Sequence, residues 1–260
     1  QNPLVKKAKR LRQKKYRRQE NAFFVEGLRV VLTAVEQKAP IQTLIYAPDL
    51  LTSETALQAV AAQEKAGLDC VAVSSDIFAA ISGRDNPAGL GAIIESTWHD
   101  LDSLIVSTAD LWLALIEVGD PGNLGTILRT ADAFGIAGVI LVGRSVDPFH
   151  PTAVKASMGT LFTLPVVQAD HVSEVLTWAA QYKLQTIATS AKASQPIRQT
   201  AVQYPALLLL GSEGEGLSED ILAAADLRVT IPMSGTVTSL NLAIAASILM
   251  YELNGRSKST

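Results

Sequence analysis

Several scarcities bound this chain before anything in it is read. It has one cysteine, Cys70, in 260 residues, which excludes a disulfide framework and fits a reducing compartment. It has three histidines, His99, His150 and His171, set far apart, so no metal-ligand spacing is present and no metal is expected. No apolar run approaches the ~18 residues of a membrane span, because Glu26, Arg29, Glu117 and Glu252 interrupt the best candidates. The basic start lacks the apolar core and small-residue cleavage site of a signal peptide, so a cytoplasmic chain without a membrane partner is expected. The chain opens on Gln1 rather than Met, as a trimmed chain would. There is no internal repeat and no low-complexity tract.

Apolar residues, by contrast, are plentiful at 48%, against 18% charged and a mean hydropathy of +0.24. That much apolar surface offsets chain entropy and excludes intrinsic disorder. The length predicts one large domain or two modest ones.

The net charge of −3 hides an asymmetry. Residues 1–20 carry nine of the 22 Lys and Arg and a single acid, Glu20, of the 25 acidic residues. A segment of +8 thus precedes a body of −11, with 13 basic and 24 acidic residues. The cations are Lys6, Lys7, Lys9, Arg10, Arg12, Lys14, Lys15, Arg17 and Arg18. Such a segment predicts an anionic partner, nucleic acid ahead of membrane. With Tyr16 as its lone aromatic, contacts to phosphates are expected rather than base stacking.

Hydrophobic patterning predicts a small α/β unit over residues 1–97. A short apolar lead-in at 23–25 precedes a helix reaching Val35; strands follow at 41–47, 70–73 and 92–94, and helices at 53–66 and 75–81. Gly83-Arg84-Asp85-Asn86-Pro87 is turn chemistry. Polar residues 98–109 read as a linker. A second unit over 110–260 opens with the apolar run Leu111 to Ile116, typical of a strand buried on both faces. Helices are then expected at 126–134, 151–157, 172–182, 218–224 and 240–253, and strands at 138–142, 163–167, 186–189, 206–210 and 227–231. The alternation predicts a parallel sheet covered on both faces.

Two glycine-rich stretches resemble nucleotide loops only superficially. In Gly119-Asp-Pro-Gly122-Asn-Leu-Gly125 the glycines stand three apart and Pro121 sits in the turn, which departs from GxGxxG and excludes a Rossmann dehydrogenase. Gly211-Ser-Glu213-Gly-Glu215-Gly216 has no Lys and two carboxylates, the wrong lining for nucleotide phosphates. Each stretch taken singly also reads as ordinary structure, with Asn123, Ser218, Ser239 and Asn241 as helix caps and Arg129 as a surface cation.

Three junctions taken together are more specific. Asn123-Leu-Gly125-Thr-Ile-Leu-Arg129-Thr-Ala-Asp132-Ala-Phe134-Gly135, Gly211-Ser-Glu213-Gly-Glu-Gly216 and Ile231-Pro-Met233-Ser-Gly-Thr-Val-Thr238-Ser239-Leu240-Asn241 all lie in the second unit. They resemble the three motifs of the SpoU (TrmH-like) RNA 2′-O-ribose methyltransferases of the SPOUT superfamily. The resemblance covers residues 110–255, and 1–96 more loosely resembles the RNA substrate-binding domain of ribosomal RNA members. It implies a trefoil knot that holds S-adenosylmethionine, a homodimer, and no metal, since methyl transfer is one in-line displacement. It implies that Arg129 stands at the ribose hydroxyl, as base or as phosphate clamp, and that Asn123, Glu213, Ser239 and Asn241 orient it and the ribose. Gly211, Ile231, Met233 and Leu240 would supply backbone bonds and walls for the adenosyl group. Thr238 and Ala243 depart from the residues frequent in the family. By the same resemblance the substrate is large ribosomal RNA, 23S in type, with transfer RNA methylation or a non-catalytic ribosome-assembly role as alternatives. The intact Arg129 and Asn241 speak against the last.

Overall fold

A computed structural model describes residues 3–83 and 85–257, so Arg84 of the expected turn and Gln1 lie outside the described residues. The chain forms two compact units. One contains the residues up to Thr97 together with Asp147–Thr163; the other contains Trp98–Val146 and the residues from Leu164 on.

The first unit runs α1 (Pro3–Arg10), α2 (Lys14–Glu20), β1 (Ala22–Glu26), α3 (Leu28–Glu36), β2 (Ile41–Tyr46), α4 (Glu54–Lys65), β3 (Asp69–Ala72), α5 (Ser75–Ile81) and β4 (Leu90–Glu95). Its sheet has the order β1-β4-β2-β3; β4 is antiparallel to both neighbours and β2 is parallel to β3. The apolar lead-in at 23–25 is therefore a full edge strand. Ser53 and Ser74 cap α4 and α5 by accepting from Ala56 and Ile77 backbone N–H groups, as short hydroxyl side chains at helix starts do.

The basic segment is not a loose arm. Val5, Ala8 and Leu11 are buried with Phe24, Phe78 and Ile81, because an apolar residue every third or fourth position gives α1 a core-facing stripe. Arg17 is 3% exposed. Its Nε and Nη2 donate to Asp147 Oδ2 at 2.9 and 2.7 Å, and its Nη1 donates to the Leu11 and Arg12 carbonyls at 3.0 and 2.8 Å. Counted among the RNA-facing cations on charge alone, Arg17 is instead a buried structural cation, with all its donors turned inward. Lys7 is also engaged, with Gln42 at 3.1 Å and Glu20 at 3.9 Å.

The second unit runs β5 (Leu111–Ile116), α6 (Pro121–Ala133) and β6 (Gly138–Val142). The chain then gives α7 (Pro151–Ser157) to the first unit and returns through β7 (Val166–Ala169), α8 (Val172–Gln181), β8 (Gln185–Thr189), β9 (Gln195–Pro196), β10 (Ala206–Leu210), α9 (Glu219–Ala224), β11 (Leu227–Thr230) and α10 (Leu242–Ser257). Its seven strands are all parallel in the order β7-β6-β5-β10-β8-β11-β9. Every residue of β5, β6 and β10 is buried, as expected of central strands covered on both faces. Trp112 and Trp178 meet edge to face at 5.2 Å, and a Cβ at Gly138 would overlap the Trp112 ring, so glycine there lets the indole lie against β6. No helix among the described residues is long and apolar enough to cross a membrane.

Two expected domain boundaries differ from the structure. Residues 98–109 do not form a free linker: His99 N–H donates to the Val166 carbonyl at 3.1 Å, Leu101–Ser103 is a 3-10 turn, and Leu104 joins the second core. Residues 147–163, expected in the second unit, pack in the first, where Phe149, Val154 and Phe162 join Phe23 and Val25. The Phe23 and Phe149 ring centroids lie 4.8 Å apart. Gly159, at φ +100°, passes so close to Thr33 that a Cβ would come 2.9 Å from Thr33 Cβ.

Candidate active site

In an open parallel sheet the carboxyl ends of the strands share one edge, and a crevice forms where successive connections leave a strand pair in opposite directions. Here β5 is followed in sequence by its neighbour β6, whereas its other neighbour, β10, comes much later in the chain. The loops after β5 and β10 therefore leave the sheet side by side, and the three motifs gather at that edge.

The first loop is braced. The Ser145 hydroxyl donates to the Val142 carbonyl at 2.8 Å and accepts from Val118 N–H at 3.2 Å, linking the chain after β6 to the chain after β5. Glu117 holds a left-handed φ of +55°, sterically costly for a residue with a side chain, and such backbone clusters at functional sites. Neither feature carries a sequence signal. The helix after it begins five residues before the expected position. Asp120 caps it by accepting from Asn123 N–H at 2.6 Å, and Pro121 occupies its first position, where a missing N–H costs nothing. The Asp-Pro pair is the sequence signal for this start. Asn123 is therefore not the cap, and its side chain is left for other partners. Arg129 correspondingly lies more than two turns into α6, not in the first.

The second loop folds back on itself. Gly216 N–H donates to the Ser212 carbonyl at 3.0 Å, and a Cβ at Gly211 would overlap the Gly216 backbone, so only glycine permits the loop to close there. Closure presents Glu213 at the loop's tip. The third segment leads from β11 into α10, where Asn241 Oδ1 accepts from Ala243 N–H at 2.9 Å and Ile244 N–H at 3.3 Å.

One hydrogen-bonded chain joins all three. Asn241 Nδ2 donates to Asn123 Oδ1, and Asn123 Nδ2 donates to Glu213 Oε1, each at 3.0 Å. The amide of Asn123 is thereby used at both ends. Beside this chain lies a cleft of about 330 Å³, in the range of small-molecule sites. Gly211, Glu213, Ile231, Met233, Ser239 and Leu240 line it, with Leu210, Leu217 and Leu249 as apolar wall and Glu215 and Glu219 as further carboxylates. The structure thus places all four residues expected at the adenosyl group around one cleft, with Glu213 and Ser239 beside them. It does not bring Arg129 there. Arg129 is exposed, and six positions along α6 turn it to another face than Asn123. Among the described residues it has no hydrogen bond or ion pair.

α6 and α10 touch each other where Ser247 Oγ meets Thr130 Oγ1 at 3.5 Å and where the Phe134 and Tyr251 rings lie 5.8 Å apart. On the outer face of α10, Ile244 is 52% and Tyr251 66% exposed, seven residues apart and so on one stripe. The histidines do other work. His150 Nδ1 accepts from Thr152 N–H at 3.2 Å at the start of α7, and His171 N–H donates to Glu174 Oε1 at 3.2 Å at the start of α8.

Residues 110–251 match the model of the SpoU rRNA Methylase family, and residues 2–92 match that of the MRM3-like substrate binding domain. The chain is 31% identical over 254 residues to the 23S rRNA (guanosine(2553)-2'-O)-methyltransferase RlmP of Bacillus subtilis, covering 98% of this chain and 97% of that one. The crystal structure of an AdoMet-bound rRNA methyltransferase from Sinorhizobium meliloti superposes with a TM-score of 0.88 at 35% identity, over 98% of this chain and 95% of that one. The SpoU methyltransferase AviRb from Streptomyces viridochromogenes, in complex with AdoMet, superposes at 0.90 with 29% identity, over 100% and 99% of the two chains.

Proposed function

This chain belongs to the SpoU rRNA Methylase family, and from that premise we propose that it methylates a ribose 2′-hydroxyl of large ribosomal RNA with S-adenosylmethionine as donor. The observation that carries the reading is the Glu213–Asn123–Asn241 chain at the rim of the cleft, which joins the three motifs in one place. Ribosomal RNA as substrate, rather than transfer RNA, is supported by the substrate-binding domain over residues 2–92 and by the full-length likeness to a 23S rRNA enzyme.

The cleft suits the donor. Its apolar walls fit a flat adenosyl group, Ile231, Met233 and Leu240 offer backbone groups in the segment between β11 and α10, and Glu213, Glu215 and Glu219 favour a positively charged ligand. S-adenosylmethionine, when bound, supplies an electrophilic methyl group. The chain's own residues must position the hydroxyl and favour its oxygen as charge develops there. A guanidinium keeps its proton, so Arg129 serves as a bidentate clamp on the adjoining phosphate rather than as a base. Asn123, held at both ends, fixes Glu213 at the cleft, which Ser239 also lines, and these residues set the ribose in place.

Arg129 stands away from its own chain's cleft, while α10, which packs against its helix, carries the exposed Ile244 and Tyr251. The reading therefore includes a homodimer that buries this apolar face and offers Arg129 to the partner's cleft. It also includes a C-terminal segment threaded as a trefoil knot and a cytoplasmic site of action. Lys14, Lys15 and Arg18, exposed on α2, contact RNA phosphates.

Mapping 2′-O-methylation in cellular RNA with and without the protein tests the reading. Loss of one ribose methyl from large ribosomal RNA, restored by the wild-type chain and not by Arg129→Ala, is the expected result. An unchanged map, or a loss confined to transfer RNA, would overturn it.

A further inference from the structure

The donor cleft is lined by three carboxylates, those of Glu213, Glu215 and Glu219, and by a single cation among the described residues, Lys192. Lys192 stands on the loop that leaves β8, and β8 lies between β10 and β11 in the sheet. Three neighbouring strands thus build one wall of the cleft, with Thr189, Gly211 and Ile231 at or just past their carboxyl ends.

Local bonds hold the loop. Ser190 N–H donates to the Val229 carbonyl at 3.0 Å, which ties the end of β8 to β11. The Ser190 hydroxyl accepts from Lys192 N–H at 3.2 Å, and Ala193 N–H donates to the Ser190 carbonyl at 3.2 Å. A serine that bonds the backbone two residues on makes a turn of its own, and here that turn fixes the main chain of Lys192 at the cleft. The ammonium itself is uncommitted. Lys192 is exposed, and among the described residues it has no ion pair, although Glu215 and Glu219 line the same cleft.

S-adenosylmethionine carries a sulfonium, an ammonium and a carboxylate. The glutamates of the cleft answer the two cations and repel the anion. We propose that Lys192 binds the α-carboxylate of the donor and so sets which way its amino-acid end lies. The proposal rests on the methylation reading. Neighbouring strands lie about 5 Å apart, which is roughly the reach of the donor from sulfur to carboxylate. A sulfonium near Glu213, after β10, therefore leaves the carboxylate within reach of the loop after β8. A lysine suits this task, since its flexible stem delivers a compact charge without demanding one fixed geometry. Without it the carboxylate would face Glu215 and Glu219 or turn out into water, and the end of the donor would be held by nothing.

The test is a cycle between one protein charge and one ligand charge, read by calorimetric titration of the full chain. The two ligands are S-adenosylhomocysteine and its decarboxylated analogue S-adenosyl-3-thiopropylamine, which keeps the sulfur and the amine. Lys192→Met should weaken S-adenosylhomocysteine about fivefold or more and leave the analogue no weaker than before. Lys192→Glu should widen that difference, and Lys192→Arg should keep S-adenosylhomocysteine within about twofold of wild type. The side chain is exposed, so unchanged thermal midpoints are expected and show that the variants are folded. An equal loss for both ligands would mean that Lys192 only shapes the loop, and an S-adenosylhomocysteine affinity indifferent to Lys192→Met would mean that the carboxylate lies in water. Either result overturns the proposal and leaves the methylation reading standing. Failure of the wild-type chain to bind S-adenosylhomocysteine overturns the methylation reading itself.

Discussion

Asn241 donates from Nδ2 to Asn123 Oδ1 at 3.0 Å, tying the cap of α10 to the first turn of α6 across 118 positions of sequence. The same Asn241 caps α10 through its other side-chain atom. A change at either asparagine therefore moves a helix terminus as well as a polar contact, and Asn123 passes the constraint on to Glu213.

Asn123→Ala removes two hydrogen bonds at once and frees Glu213. Misplacement on the scale of an ångström costs about 100-fold in rate, so single-turnover methyl transfer should fall by that order while S-adenosylmethionine affinity stays within a few fold. Asn123→Asp should be at least as damaging, because it sets a second carboxylate against Glu213. A rate within threefold of wild type in both variants would contradict the role given to this chain of bonds.

If Arg129 acts in the partner's cleft, two dead variants should complement. Arg129→Ala and Glu213→Gln homodimers should both be inactive, while subunits of the two, unfolded and reassembled together, should regain about a quarter of wild-type activity, since half the dimers are mixed and each mixed dimer holds one intact site in a twofold assembly. A mixture as inactive as its parents would place Arg129 and Glu213 in the same subunit's site.

The cations of the first twenty residues should divide into two classes. Replacing Lys14, Lys15 and Arg18 with Ala should lower the salt dependence of RNA binding by about 0.7–0.9 for each phosphate no longer neutralised and leave the melting temperature unchanged. Arg17→Ala should act on stability instead, by about 3–5 kcal/mol, because it leaves Asp147 buried without its partner. Arg17→Met with Asp147→Leu should recover much of that loss. Calorimetry and filter binding at several salt concentrations distinguish the two classes.

Burial, with Arg17 nearby, holds the His150 imidazole below its ordinary 6.5, while Asp147 opposes them. The folded chain thus releases a proton that the unfolded chain keeps. The stability this gives is full above about 6.5 and is lost as pH falls from there to the lowered folded value. The Nδ1 lone pair that accepts from Thr152 N–H is the group that protonation removes. His150→Asn keeps an acceptor without the titration, so its midpoint should fall less than wild type between about pH 7.5 and 5.5.

The second unit is readable in the sequence because its strands are unbroken apolar runs between helix and turn signals, and the expected strands 138–142 and 206–210 match β6 and β10. The start of α6 is harder to read, because Pro121 suits a turn and a first helical position alike, and the fold uses it as the latter. That shift of five residues conceals where Arg129 stands. The expected strand at 163–167 becomes β7 because Thr160–Phe162 tightens into a 3-10 turn first. The basic segment misleads most: a charge count records cations without recording which face they occupy, and the stripe Val5–Ala8–Leu11 between them is the signal that sets the face. Nothing local could pair Arg17 with Asp147, 130 positions away, or seat Asn123 between Glu213 and Asn241.

Residues 147–163 carry a consequence for how the chain is made. They bring Asp147, Phe149 and Val154 to a unit whose other residues all precede position 98. On the ribosome, where domains ordinarily close in order of synthesis, this first unit must wait with an unfilled core and an unanswered Arg17 until the chain has been extended past Thr163. By then β5, α6 and β6 have already emerged. The two units therefore mature together, and no single cut in the chain separates them whole.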